Sequence, residues 1–172
     1  MKLTDDMKTL DNYMGQYRRC VIERNALRSR KKTLLYEFNN PEQVSKKRKA
    51  AQESEEAESV SISVRVEKIN KRINEQVKES EKVLLLIMDM IDFLPEHSSE
   101  RLVIEHRYID RYSWEKIEDY CYISRSQAIR YWKQALEILL EYPKVQKTLS
   151  DYRKEQKHNR IHKNPNSSHD SA

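Results

Sequence analysis

Residues 94–139 read LPEHSSERLVIEHRYIDRYSWEKIEDYCYISRSQAIRYWKQALEIL. Hydroxyl residues punctuate this stretch, each just ahead of a run with helical apolar spacing. Ser98 or Ser99 is placed to cap a helix running to Ile109, and Ser113 a second from Trp114 to about Cys121. Ser124 is placed to cap a third, which ends before Pro143. A serine at an N-cap accepts from a first-turn amide that has no partner inside the helix, which is why it marks helix starts. Gln127 follows Ser124 at capping-box spacing, so its side chain can bond back to the amide of the cap residue. Between the second and third helices only Tyr122–Ser124 remains, a three-residue turn with the layout of a helix-turn-helix.

The apolar positions of the stretch suit that layout. Val103, Ile109, Trp114, Ile117, Ile123, Ala128, Trp132, Ala135, Leu136 and Leu139 can close a small core, with Ala128 where the third helix must approach its neighbour closely. The outward positions of the third helix are Arg125, Ser126, Gln127 and Arg130, followed a turn later by Lys133 and Gln134. No acidic residue lies between Ser124 and Gln134. Arginine and glutamine at the start of such a helix can pair with guanine or adenine edges in a major groove, so double-stranded DNA is the expected partner and these six residues the expected contacts.

Upstream, Ile62, Val66, Ile69, Ile73, Val77, Ser80, Val83 (or Leu84), Ile87, Met90 (or Ile91) and Leu94 follow in steps of four and three, the seam of a coiled coil. Val60, Ile62, Val64 and Val66 also alternate with polar residues, which admits a short strand as the lesser reading. A second seam runs through Leu3, Met7, Leu10, Met14, Tyr17 and Val21, continues at Leu27, Leu34 and Phe38 after a register shift near Arg24, and predicts one helix over about 2–38. Each element of 33 or more residues is about 50 Å long, and neither stripe can stay in water. They are expected to pair as an antiparallel hairpin, on a second subunit, or both. Asn39-Asn40-Pro41 ends the first helix. The low-complexity run that follows, KKRK at 46–49 and then acidic residues from Glu53 to Glu58, reads as a mobile connector.

Composition agrees with an all-helical chain. One glycine and four prolines in 172 residues are far too few turn residues for a sheet protein, and 35% charged against 37% hydrophobic leaves most elements only one buried face. The expected fold class is therefore all-α: a long helical hairpin at 1–94 with its connector at about 40–61, a helix-turn-helix domain at 95–149, and a disordered polar tail at 150–172. Net charge is +5, unevenly spread: residues 1–50 carry 13 basic and 6 acidic side chains, whereas 51–94 carry 6 and 10. That asymmetry permits nucleic-acid binding without requiring it, because charge runs usually belong to solvated faces.

The segment Leu94–Leu139 resembles region four of the sigma-70 family, which reads the −35 promoter element. It is still more similar to the C-termini of small phage and prophage late-gene regulators of the ArpU/RinA kind. The pieces that carry the resemblance are LPE at 94–96, RY at 107–108, SWEKI at 113–117 and SRSQ at 124–127. It implies a promoter-binding transcriptional regulator with RNA polymerase as a further partner. This chain departs from the pattern at four places. Tyr122 and Arg111 stand at turn positions commonly held by glycine, Glu118 at one usually held by alanine, and His106 at a core leucine.

Other chemistry has little support in the residues. A single glycine, Gly15, excludes a phosphate-cradling glycine loop; no HExxH occurs, and Cys20 and Cys121 form no metal-binding pair. His158 and His162 share a helical spacing but sit in the polar run KHNRIHK. Glu115, Glu118 and Asp119 read as a solvated helix face rather than an acid–base pair. No enzyme activity, cofactor or metal is expected. Residues 1–15 lack the apolar stretch that secretion needs, and Val83–Met88 is too short to span a bilayer, so the expectation is a cytoplasmic protein without membrane contact. A homo-oligomer formed through the hairpin is expected. Two rival readings remain: a small terminase subunit, and a helical interaction module or antirepressor that never meets DNA.

Overall fold

A computed structural model describes residues 3–40 and 55–163, and among these no strand occurs. The helices are α1 (Asp5–Met14), α2 (Gln16–Asn39), α3 (Glu55–Ile91), α4 (Ser99–Ile104), α5 (Trp114–Cys121), α6 (Arg125–Leu140) and α7 (Pro143–Lys163). One π-helical turn, Glu105–Ile109, extends α4. The chain groups into two compact units, Met1–Gln16 with Leu84–Ala172, and Tyr17–Val83.

This division differs from the boundary expected at Leu94–Pro95. The predicted helix over 2–38 is interrupted at Gly15, and α1 packs on α6 and α7. The first turns of the N-terminal seam thus belong with the C-terminal helices. The cause is non-local. Met7, Leu10 and Met14 are buried, Tyr13 meets the Tyr152 ring edge-on at 5.3 Å, and the Tyr108 hydroxyl donates to Asp11 Oδ1 at 2.6 Å. Arg153 adds a link to the same helix, donating through Nη2 to Thr9 Oγ1 at 3.2 Å and pairing with Asp6. Thr4 caps α1 by accepting from the Met7 amide, and Asp5 and Asp6 in the first turn suit the positive end of the helix dipole.

The tail also differs. Residues expected to be disordered from 150 onward continue α7 as far as Lys163. Leu149 is 2% exposed, and together with Val145 it docks the helix despite its polar composition. Residues 164–172 lie outside the described ones, as do 41–54, which hold KKRK and Glu53 of the expected connector. From Glu55 the connector is already helix, so the strand reading of 60–66 fails there as well. Those residues are the opening turns of α3, in keeping with the seam of four and three that continues from Ile62.

In the unit Tyr17–Val83, the expected seam of α3 is recognisable but incompletely covered. Ile62, Val66, Ile69, Ile73 and Val77 are half-buried, and only Ser80 and Val83 at its end are buried. On α2 the covered positions are Tyr17, Val21, Arg24, Leu27, Lys31 and Leu34, whereas Phe38 is exposed. Val21, Arg24 and Leu27 follow in two successive steps of three, the register shift expected near Arg24. The seam passes through Arg24, whose Nη1 donates to Ser80 Oγ at 3.2 Å while that hydroxyl donates to the Val77 carbonyl at 2.8 Å.

Candidate nucleic-acid interface

The three serine caps form as their local sequence requires. Ser98 accepts from the Arg101 amide, Ser113 from the Lys116 amide and Ser124 from the Gln127 amide. The capping box is complete: Gln127 Oε1 accepts from the Ser124 amide at 2.9 Å and from its hydroxyl at 3.0 Å. Helix α6 therefore has a defined first residue, and everything along it inherits that phase. Its inner face is Ala128, Trp132, Ala135, Leu136 and Leu139, all buried; Val103 and Ile117 from α4 and α5 are buried with them. Trp114, Ile109 and Ile123, expected in the same core, are half-buried.

On the opposite face Arg125, Ser126, Gln127, Arg130 and Gln134 are exposed, and Lys133 is half-buried. Arg130 lies over the Tyr131 ring, 5.3 Å from its centroid. The carboxamide oxygen of Gln127 is spent on the cap, so the hydrogens of its amide nitrogen are what it can offer a partner.

Both turn positions where glycine was expected carry the left-handed backbone that glycine favours. Tyr122 has φ 55° and ψ 40°, and Arg111 has φ 62°. Tyr122 closes α5 by donating its amide to the Glu118 carbonyl. Its side chain is 94% exposed. Glu118, at the expected alanine position, is half-buried, and its Oε1 is buried without a hydrogen-bond partner among the described residues.

His106, at the expected leucine position, is buried in the π-helical turn. Its ring stacks on Tyr112 at 5.2 Å and meets the Tyr120 ring edge-on at 4.7 Å. Nδ1 lies 2.6 Å from Asp110 Oδ2, while Nε2 is buried with no hydrogen-bond partner among the described residues. Around this ring cluster the cations are held by aromatic faces. Lys116 Nζ lies 3.7 Å from the Tyr112 centroid, and the Arg107 guanidinium 4.6 Å from that of Trp114.

Beneath the interface runs a hydrogen-bonded chain that no short-range pattern reveals. Trp132 Nε1 donates to the Tyr108 hydroxyl at 2.8 Å, and that hydroxyl donates to Asp11. Burial first, and then the neighbouring Asp11 carboxylate, hold the Tyr108 phenol well above its ordinary pKa. Trp132 also meets Trp114 edge-on at 5.8 Å. Burial raises the Cys20 and Cys121 thiols above their ordinary values. No group of His, Cys, Asp and Glu suited to hold a metal ion occurs among the described residues, and no described helix is long and apolar enough to cross a membrane.

No family model, curated protein or solved structure matches this chain.

Proposed function

We propose that α5, the Tyr122–Ser124 turn and α6 form a helix-turn-helix whose third helix reads promoter DNA, making the protein a sequence-specific transcriptional regulator of phage or mobile-element type. One observation carries the reading. The exposed face of α6 offers Arg125, Ser126, Gln127, Arg130 and Gln134 with no carboxylate between Ser124 and Gln134 to neutralise it, while its other face is anchored in the core. A face that is uncompensated, rich in paired donors and fixed in phase by a capping box has the properties that base-edge recognition needs. Lys133 grips phosphate. In the other unit, α2 and α3 pair as a hairpin that self-associates or contacts RNA polymerase. The half-buried row Ile62, Val66, Ile69, Ile73 and Val77 supports self-association, because so long an apolar stripe gains stability only when it is covered. The protein acts in the cytoplasm and has no enzymatic role.

The test is enrichment of bound fragments from genomic DNA, followed by affinity for the enriched and scrambled duplexes across a salt series. Arg125→Ala and Arg130→Ala should each cost about 1–3 kcal/mol on the enriched site and less on the scrambled one. Lys133→Ala should weaken both alike and reduce the salt slope by about one unit. If the double variant of Arg125 and Arg130 keeps the wild-type ratio between the two duplexes, α6 does not read sequence and an interaction module becomes the better account. Ring-shaped oligomers that recognise one packaging site would favour a terminase subunit instead.

A further inference from the structure

Among the described residues, three non-glycine residues have positive φ: His97, Arg111 and Tyr122. Among them Tyr122 stands apart. It is aromatic, 94% exposed, and two residues ahead of the cap that starts α6. A large ring gains nothing from water there, and a left-handed backbone disfavours any side chain with a Cβ. Both terms favour glycine at this position, yet the chain carries tyrosine. Strain kept at an exposed position beside a binding face points to a contact made outside the folded chain.

We infer that Tyr122 touches the DNA backbone, with its hydroxyl donating to a phosphate oxygen and its ring lying along the adjoining sugar. This rests on the DNA-binding reading of α6 and adds a residue to it. The chemistry fits the place. The phenol is a neutral donor with an apolar body, suited to a sugar–phosphate edge, and it neighbours the exposed Ser124, Arg125 and Ser126. Its backbone is fixed at both ends, by its own amide on the Glu118 carbonyl and by the Ile123 amide on the same oxygen at 3.3 Å, so the ring is presented from a defined point. As a neutral group it contributes affinity without releasing a counterion.

The experiment compares the full chain with Tyr122→Phe and Tyr122→Gly, using a fluorescent duplex that carries the site enriched by the parent. Tyr122→Phe should leave the melting temperature unchanged and weaken binding about 3- to 10-fold, with the same salt slope as the parent. Tyr122→Gly should weaken binding at least as much while raising the melting temperature by about 2–4 °C, because it relieves the backbone. Stability and affinity then move in opposite directions, which a merely structural tyrosine would not produce. Parent-like affinity in Tyr122→Phe, or a lower melting temperature in Tyr122→Gly, overturns the assignment and leaves α6 recognition standing. A parent that enriches no duplex overturns both.

Discussion

Replacing Tyr108 with phenylalanine tests whether α1 is a working part of the C-terminal unit. The substitution keeps the ring, which is 5% exposed, and removes only the hydroxyl that joins Trp132 Nε1 to Asp11 Oδ1. Two losses follow. The bond to a carboxylate is of the charge-assisted kind, about 1.5–3 kcal/mol, but Asp11 is half-exposed and water replaces part of it. The Trp132 N–H, by contrast, lies in a buried ring and has no such recourse; an orphaned donor of this kind costs about 1–3 kcal/mol. Taking the lower half of both ranges gives a destabilisation of about 2.5–4 kcal/mol. Urea denaturation measures it, and a double-mutant cycle with Asp11→Asn isolates the link from α1 to the π-helical turn. The pH dependence supplies an independent check. The Tyr108 pKa is raised in the folded state, so the folded protein holds that proton more tightly than the unfolded chain. This stability is fully present below the ordinary tyrosine value of 10.0 and is lost as pH climbs above it. The parent should therefore lose stability more steeply than Tyr108→Phe in that alkaline range. A loss below about 0.5 kcal/mol, with additive behaviour against Asp11→Asn, would refute the idea that this chain of hydrogen bonds holds α1 in place.

Further outcomes follow from the same physical arguments. Ser124→Ala removes the hydroxyl that accepts from the Gln127 amide, while the backbone amide at 124 can still donate to the Gln127 side chain; it should cost about 1 kcal/mol, read as a lower melting temperature. His106→Leu replaces a ring whose Nε2 is buried without a partner among the described residues by an apolar side chain; stability should hold or rise by up to about 1–2 kcal/mol, and a clear fall would show that the contact with Asp110 dominates. Ile73→Asp puts a carboxylate in the half-buried seam of α3 and should lower helicity by circular dichroism, with dissociation in light scattering if the seam joins two copies. Trp132, 8% exposed, should dominate a blue-shifted component of the fluorescence, whereas half-buried Trp114 beneath Arg107 emits nearer the solvated value; two water-like emissions would refute the packing of α6.

Helix type, helix starts and the turn before α6 were all legible from residues 94–139, because those features are decided within a few residues. A cap needs only its own hydroxyl and an amide three residues on, and Ser98, Ser113 and Ser124 each have both. The inward face of α6 was legible for a similar reason: once Ser124 fixes the start, helical periodicity puts Ala128, Trp132, Ala135, Leu136 and Leu139 on one side. The left-handed backbone at Tyr122 and Arg111 was not legible, since neither residue type asks for it. Partner choice was decided elsewhere. A seam such as Met7–Leu10–Met14 states that it must be covered, but not by what, since an apolar stripe is non-directional and several surfaces can satisfy it. Only the tertiary structure pairs it with the π-helical turn, α6 and α7, through contacts that include Asp11 on Tyr108 and Tyr13 on Tyr152, far apart in sequence. The same holds for α7, whose polar composition reads as a tail until Val145 and Leu149 find a core. Local hydrogen bonds set what each segment is; burial between segments distant in sequence sets which of them stand together.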